Sequence, residues 1–173
     1  LYMRVKDIYK YENPPKVKLN DGLKSIIFEI SSKRMGAAVV VDKKDNILTI
    51  TLNRPEKKNA LNTVMINEIA YSLSDAHFNN DIWLVKIQAN GPVFCAGADL
   101  KSFSAAQEET TTSTIPKPKS EVLLGELFTQ LHKPCIARVH APVYAGGFLL
   151  ICGCTQVGAA EDATFCLPEV KRG

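Results

Sequence analysis

Two short turns of very small residues carry the strongest chemical signal in this chain. The first, Ala96-Gly97-Ala98, follows an apolar run and is followed by charge, and the second is Ala145-Gly146-Gly147. Small side chains let the backbone approach a ligand closely and leave N–H groups that can point toward it. One isolated acid, Glu169, follows the second turn. Two backbone donors and one carboxylate are the minimum set of groups for moving a proton next to a carbonyl group.

The overall composition is that of one ordinary soluble globular domain. The 173 residues carry a formal net charge of +3, and 46% of them are hydrophobic, which is a typical apolar content. The basic residues are dispersed along the chain, so we expect no nucleic-acid partner. The sequence shows no secretory apolar core and no apolar run long enough to cross a bilayer. We therefore expect no membrane association and a cytoplasmic location.

Cysteine usage favours reduced thiols over disulfides or a metal site. Cys152-Gly153-Cys154 has the spacing of a metal-ligand pair, but no second pair or suitably spaced histidine accompanies it. Because the cysteines are odd in number and mostly have apolar neighbours, we predict buried structural thiols and no metal. The five are Cys95, Cys135, Cys152, Cys154 and Cys166.

The elements that must position the two turns alternate between strands and helices. Strands are predicted at residues 39–41, 47–52, 82–87, 134–139, 155–159 and 164–167, and helices at 62–78, 120–132 and from 146 onward. Asn62 is a candidate N-cap for the first helix. The polar stretch at 102–120 predicts a mobile loop or lid. This order predicts an α/β fold built from repeated strand-strand-helix units.

Four blocks, in this order along the chain, resemble the enoyl-CoA hydratase/isomerase family, also called the crotonase family. The resemblance begins at about Met35 and extends to Gly173. On this basis residues 1–34 are a leader or arm of unknown role, and residues 35–173 are a crotonase-like acyl-CoA-binding core. The blocks are NRPEKKNALN at 53–62, FCAGADLK at 94–101, KPCIA at 133–137 leading to AGG at 145–147, and FCLPE at 165–169.

The resemblance implies a spiral of repeated ββα units and an enzyme that acts on acyl-CoA thioesters. It implies no separate cofactor, because coenzyme A is part of the substrate. A homotrimer or a dimer of trimers is expected for the full-length protein, with a role in fatty acid metabolism. Members of the family continue with a helical segment, so we expect this chain to be truncated, with its C-terminal helical part missing.

The family's oxyanion hole is carried over to the backbone N–H groups of Ala98 and Gly146. The proximity of Gly146 to a helix start would add to that effect. Lys101 is the leading candidate for a phosphate partner of coenzyme A, and Arg54, Lys57 and Lys58 are weaker ones. The full substrate-binding set expected from the resemblance is Ala60, Ala96, Ala98, Asp99, Leu100, Lys101, Gly146 and Leu149.

The acids of the family's hydratases are only partly present. Glu169 matches the second of their two glutamates, and we expect it to be partly shielded from water among Phe165, Leu167 and Val170. Leu149 stands where the first glutamate falls, and leucine cannot activate water. A single-glutamate proton shuttle, as in an isomerase, is therefore favoured. Hydration of a 2-enoyl-CoA despite Leu149, a catalytically weak acyl-CoA binding protein, and an RNA-associated or assembly role remain as alternatives.

Overall fold

The structure of the protein is a computed structural model that describes residues 37–103 and 124–171. The predicted leader at 1–34 and nearly all of the predicted loop at 102–120 lie outside these ranges, as does the start of the predicted helix at 120. Within the two described ranges, no helix has both the length and the apolar character of a membrane span.

The described residues contain seven strands, which form two sheets. They are β1 (Val39–Lys44), β2 (Ile47–Leu52), β3 (Leu84–Ala89), β4 (Cys135–Val139), β5 (Val143–Tyr144), β6 (Gln156–Ala159) and β7 (Phe165–Cys166). The larger sheet has the order β1-β2-β3-β4-β6, with β1 antiparallel to β2 and every other neighbouring pair parallel. The smaller sheet pairs β5 with β7 in parallel.

The first hairpin is tighter than the sequence predicts. Asp45 and Asn46 both have positive φ, which is the pattern of a two-residue type I′ turn. Lys44 is therefore already paired with Ile47, and β1 continues beyond the predicted end at residue 41. Sequence alone placed these extra residues in the loop because they are charged, but an edge strand accommodates charge readily.

Four helices and two 3₁₀ turns alternate with the strands in the described part of the chain. The helices are α1 (Thr63–Phe78), α2 (Leu100–Phe103), α3 (Leu124–Gln130) and α4 (Gly146–Cys152), and the 3₁₀ turns are Pro55–Lys57 and Pro168–Lys171. The predicted cap of α1 is confirmed, because the side chain of Asn62 accepts a hydrogen bond of 2.9 Å from the N–H of Met65. That bond satisfies one of the amides left unpaired at a helix start.

The hydrophobic core lies between the larger sheet and helices α1 and α3. The alternating side chains of β2, β3 and β4 are buried on the core side, as period-two strands require. The apolar stripe of α1 predicted from its helical spacing is buried, with Met65, Ile69, Leu73 and Ala76 at 0–1% exposure. Leu127 and Phe128 of α3 complete the contact.

A second layer of parallel backbone segments carries the two small-residue turns. Leu61 forms a parallel bridge with Ala98, and Cys95 forms one with Val143. Val143 also pairs with Phe165 through β5 and β7. We call these four segments, residues 60–61, 94–98, 142–145 and 164–166, the parallel ladder. Because all four segments run in the same direction, the residues that follow them meet at one edge.

The two layers together make a repeating unit. Strands β2, β3, β4 and β6 of the larger sheet each lead into one segment of the parallel ladder, and each ladder segment leads into a helix or a 3₁₀ turn. The expectation of an α/β fold of repeated ββα units is therefore confirmed over the described residues. Each repeat delivers the end of its ladder segment to the same edge of the molecule.

Gly97 allows the second and third segments of the ladder to approach each other. Its φ is +93°, and an added Cβ would lie only 2.6 Å from the Cβ of Ala145. Side chains rarely adopt such a φ, and real Cβ atoms do not come so close. Glycine is thus required at this position by both the backbone conformation and the space.

Replacing Gly97 by alanine should destabilise the protein severely. We expect Gly97→Ala to lower the free energy of unfolding by about 2–4 kcal/mol, from backbone strain and overpacking together. Urea unfolding followed by circular dichroism measures this difference. Gly125→Ala is the matched control, because a methyl group there meets nothing within 4 Å and lies on a helix, where alanine is favoured. Equal stability of the two variants would contradict the close approach.

Candidate active site

The two small-residue turns are in direct contact at the edge of the parallel ladder. An added Cβ on Gly146 would lie 3.5 Å from the amide nitrogen of Ala98, and one on Gly97 would lie 3.1 Å from the amide nitrogen of Gly146. Turns separated by almost fifty residues in the sequence are thus only a few ångströms apart. The two amides named from the sequence are brought together by the ladder.

One peptide unit determines where the N–H of Ala98 points. Its carbonyl, that of Gly97, accepts a hydrogen bond of 2.7 Å from the N–H of Leu61. Because a trans peptide directs its N–H and C=O to opposite sides, the N–H of Ala98 points away from Leu61. The neighbour on that other side is the segment that leads to Gly146. Among the described residues, the N–H of Ala98 and that of Gly146 both lack a backbone acceptor.

Glycine at position 146 is not required by the protein itself. The position has no positive φ, and an added Cβ would be in ordinary van der Waals contact with its neighbours. Gly147 differs, because a Cβ there would lie 2.7 Å from the Cβ of Cys95. Gly147 therefore serves the packing of α4, whereas a Cβ on Gly146 would fit next to the Ala98 amide without a clash.

Leu149 lies on α4 three residues after Gly146, a spacing that places both residues on the same face of the helix. Its side chain is 70% exposed. None of the seven residues of α4, GGFLLIC, carries a charge. The helix therefore supplies an apolar surface next to the two amides rather than an acid.

Glu169 follows β7 in the 3₁₀ turn Pro168–Lys171. The N–H of Ala145 donates to the carbonyl of Cys166 at 3.0 Å, so the chain leading to Glu169 runs beside the chain leading to Gly146. Both therefore leave the parallel ladder at the same end. The expected shielding of Glu169 was wrong, because Glu169, Phe165, Leu167 and Val170 are all exposed in the described chain. Apolar neighbours in sequence shield a carboxylate only when other elements pack over them.

Asp99 and Arg54 form a partly buried ion pair. The guanidinium NH1 of Arg54 donates to Asp99 Oδ2 at 2.7 Å and to the carbonyl of Ala60 at 3.1 Å. The hydrogen bond from Arg54 holds the pKa of Asp99 below its usual value, assisted by the N–H of Lys101. Arg54 NH1 is thus already engaged within the protein, and the weaker prediction that Arg54 serves as a phosphate partner stays a prediction.

The remaining predicted binding residues lie in the first two ladder segments or shortly after the second. Ala60 and Ala96 are half-buried, and the N–H of Ala96 donates to the carbonyl of Lys58 at 3.0 Å. Leu100 is 76% exposed, and Lys101 is exposed beside it on α2. Small half-buried side chains next to an exposed apolar and basic pair are compatible with a long ligand that carries phosphate.

Asn59 is an important supporting residue that sequence reasoning did not single out. Its side chain is fully buried, accepts from the N–H of Arg54 at 2.8 Å, and donates to the carbonyls of Asn90 and Val93 at 2.8 Å each. Its φ is +53°, a conformation that asparagine tolerates better than most residues. An asparagine after two lysines in a turn was the available signal.

The cysteines differ from the sequence expectation in their exposure. Cys95 and Cys135 are buried, as predicted, but Cys152 and Cys166 are exposed and Cys154 is half-buried. Burial raises the pKa of Cys95 to about 11. Cys135 and Cys154 have their sulfur atoms 3.6 Å apart. No group of three or more metal-ligating side chains occurs within 37–103 and 124–171.

A family comparison gives this geometry its context. The sequence profile described as "Enoyl-CoA hydratase/isomerase" matches residues 42–173, which is well over half of the chain. The chain belongs to the enoyl-CoA hydratase/isomerase family. The predicted resemblance is thereby confirmed, and so is the assignment of the ββα repeat to the crotonase fold.

Individual relatives agree with the family assignment. The chain is 37% identical over 128 residues to the mevalonyl-coenzyme A hydratase of Aspergillus fumigatus, covering 74% of this chain and 46% of that protein. It is 31% identical over 135 residues to the 2,3-dehydroadipyl-CoA hydratase of Escherichia coli, covering 78% of this chain and 51% of that one. The chain therefore spans about half the length of the curated relatives it matches.

Solved structures show the same partial correspondence. The enoyl-CoA hydratase of Mycobacterium tuberculosis superposes with a TM-score of 0.64 at 33% identity, covering 79% of this chain and 51% of that chain. The enoyl-CoA hydratase of Mycobacterium marinum gives a TM-score of 0.65 at 31% identity, with coverage of 79% and 51%. The described fold thus corresponds to one part of the crotonase fold.

A methyl group at position 146 tests the space beside the Ala98 amide. An oxygen that accepts from this N–H would lie about 2.9 Å from the nitrogen, and the added Cβ would compete for that volume. We expect Gly146→Ala to weaken any activity on a thioester by about 100-fold, the cost of losing one oxyanion donor. The free energy of unfolding should change by less than about 1 kcal/mol, because the methyl meets no protein atom too closely.

The matched control for Gly146→Ala is again Gly125→Ala, the same chemical change in open space. Initial rates and urea unfolding are measured on both variants and on the wild type. A Gly146→Ala protein that keeps its full rate would remove the reason for glycine at this position.

Proposed function

We propose that this chain is the acyl-CoA-binding part of an enzyme that stabilises an enolate of an acyl-CoA thioester. The observation that carries the proposal is the contact between the two turns, with the Ala98 and Gly146 amides lacking a backbone acceptor among the described residues. Removal of a proton next to a thioester carbonyl places negative charge on the oxygen. Two preorganised N–H donors stabilise that charge more than they stabilise the neutral substrate.

Glu169 is the proposed proton shuttle. In a 3-enoyl-CoA it would take a proton from C2, and the electron pair of the C–H bond would move onto the carbonyl oxygen to give a dienolate. Return of the same proton at C4 moves the double bond from C3–C4 to C2–C3 and restores the carbonyl. Support comes from the parallel ladder, because Glu169 and Gly146 follow neighbouring segments and leave at the same end.

Hydration of a 2-enoyl-CoA is the second candidate. It is favoured by the relatives, several of which are named as hydratases. It requires a water molecule activated at C3, and α4 has no acid to help hold that water. The resemblance to the family places Leu149 at the position of the first glutamate. For this reason the single-glutamate isomerisation is the leading proposal.

The family supports a proposal for the substrate and the setting. We propose coenzyme A thioesters as substrates, with Lys101 beside the phosphates, Ala60, Ala96 and Leu100 along the coenzyme, and no separate cofactor. Assembly of the full-length protein as a homotrimer or a dimer of trimers, and a role in fatty acid metabolism, are further predictions. The cytoplasmic location also stays a prediction, since relatives from Danio rerio and Dictyostelium discoideum are named as mitochondrial.

The decisive experiment follows the C2 proton directly. The protein is incubated in D₂O with a 3-enoyl-CoA and, separately, with a 2-enoyl-CoA, and the products are analysed by mass spectrometry and NMR. We expect conversion of the 3-enoyl to the 2-enoyl thioester, with deuterium at C4 in those turnovers in which Glu169 exchanges its proton with the solvent before returning it. Glu169→Gln should slow this conversion by about 10²–10⁴-fold, the usual contribution of a general acid or base.

Glu161→Gln is the matched control for Glu169→Gln, because Glu161 is an exposed acid before β7 with no proposed role. Its rates should equal those of the wild type. Binding of a CoA thioester without movement of the double bond and without any exchange of hydrogen for deuterium would overturn the enolate proposal and favour an acyl-CoA binding protein. Addition of water without isomerisation would favour hydration.

A further inference from the structure

We propose that the Arg54–Asp99 ion pair is a positioning pair that holds the Ala98 peptide in the orientation in which its N–H faces Gly146. This inference deepens the proposed function and rests on it, since positioning matters only if that N–H meets a substrate oxygen. The pair does not reach the reacting atoms itself. It links the first two segments of the parallel ladder next to Ala98, the residue whose N–H is proposed to meet the substrate oxygen.

The contacts of Arg54 place it across those two segments. A single guanidinium nitrogen, NH1, donates to Ala60 in the first segment and to Asp99 immediately after the second. Between these two contacts lies the bridge of Leu61 with Ala98. Arg54 therefore links the two segments beside the Leu61–Ala98 bridge. This bridge fixes the orientation of the Ala98 peptide.

Asp99 is held from several sides. Its N–H donates to the carbonyl of Leu61 at 2.9 Å, and its own carbonyl accepts from the N–H of Ser102 at 3.0 Å. Its second carboxylate oxygen, Oδ1, accepts from the N–H of Lys101 at 3.2 Å. The carboxylate thus connects the start of α2 to Arg54, and the chain is fixed on both sides of Ala98.

Burial makes this ion pair stronger than a surface pair. The side chains of Arg54 and Asp99 are 19% and 16% exposed, so the charges are screened less than those of the exposed pair Lys43–Asp81, whose side chains are 30% and 80% exposed at a distance of 3.5 Å. Glu56 is a weak competitor for the guanidinium, since its carboxylate is 3.9 Å from Nε and 65% exposed. Charge-assisted hydrogen bonds of this kind are about twice as strong as neutral ones.

The carboxylate is also kept ionised over a wide range of pH. The hydrogen bond from Arg54 lowers the pKa of Asp99, and the N–H of Lys101 and the charge of Lys57 act in the same direction. The pair's contribution to stability is therefore present above the ordinary aspartate pKa of about 3.9 and is lost only as the pH falls through the lowered folded-state value.

The test compares Arg54→Met, Arg54→Lys and Asp99→Asn with the wild type. Arg54→Met removes the charge and both hydrogen bonds, Arg54→Lys restores the charge with a single point contact, and Asp99→Asn keeps the shape of the side chain in case Arg54→Met fails to fold. Lys43→Met is the matched control, because it removes an exposed ion pair near the start of β3, at the opposite end of the strand from the site.

The first measurement needs no ligand. Hydrogen exchange of the Leu61 and Asp99 amides, resolved by NMR, reports directly on the bridge that orients the Ala98 peptide. We expect Arg54→Met to accelerate the exchange of both amides by about tenfold, because a charge-assisted hydrogen bond is lost. The exchange rates of Arg54→Lys should be intermediate, and those of Lys43→Met should equal the wild-type rates. Exchange in Arg54→Met and Asp99→Asn within twofold of the wild type would overturn the proposal.

The second measurement uses a four-carbon 2-enoyl-CoA labelled with ¹³C at the carbonyl. Polarisation by the two N–H groups should move the carbonyl signal of the bound thioester downfield in the wild type, and Arg54→Met should lose at least half of that shift. A general loss of stability in a protein that remains folded would not change this signal. If the wild type itself produces no shift, the proposed function fails, and the exchange measurement still decides whether the pair holds the peptide.

Discussion

The orientation of one peptide unit, between Gly97 and Ala98, is the constraint on which the site depends. The hydrogen bond from Leu61 to the Gly97 carbonyl determines the direction of the opposite N–H, because the peptide is planar and trans. The same glycine, at a φ of +93°, lets the turn before Gly146 come into contact with it. One residue therefore sets both the direction of the first donor and the distance to the second turn.

The ββα repeat explains why such distant residues meet. Each repeat adds one strand to the larger sheet and one segment to the parallel ladder, and all segments end at the same edge. The turn at the end of the second segment, the turn at the end of the third and Glu169 after the fourth are therefore neighbours by topology. The hydrophobic core of α1 and the larger sheet supplies the rigidity, while the edge of the ladder carries the candidate functional groups.

Much of the fold could be predicted from the sequence, because its signals are local. The Asn62 cap, the apolar stripe of α1 and the start of α4 at Gly146 depend on residues close together in the chain, and the structure has them as predicted. The length of β1 was underestimated, since a two-residue turn with positive φ is not distinguished by charge pattern from a longer loop.

The parts of the site that sequence did not reveal depend on contacts between segments. The ion pair of Arg54 with Asp99 joins residues 45 positions apart. The residues next to an arginine in the sequence do not distinguish an exposed side chain from a partly buried one. The exposure of Glu169 likewise depends on which elements pack over it. The buried side chain of Asn59 forms hydrogen bonds with three residues from two other stretches of the chain. The pattern of polar and apolar residues in the sequence does not predict such bonds.

The donor at position 98 is a main-chain N–H. The hydrogen-bond donor and the size of the side chain are therefore independent of each other at this position. Every amino acid except proline carries the same N–H, and the side chain of Ala98 is exposed. The residue at this position can therefore vary in size without loss of the hydrogen-bond donor. Evolution or design can reshape the wall beside the proposed acyl group while leaving the proposed main-chain contact to the carbonyl in place.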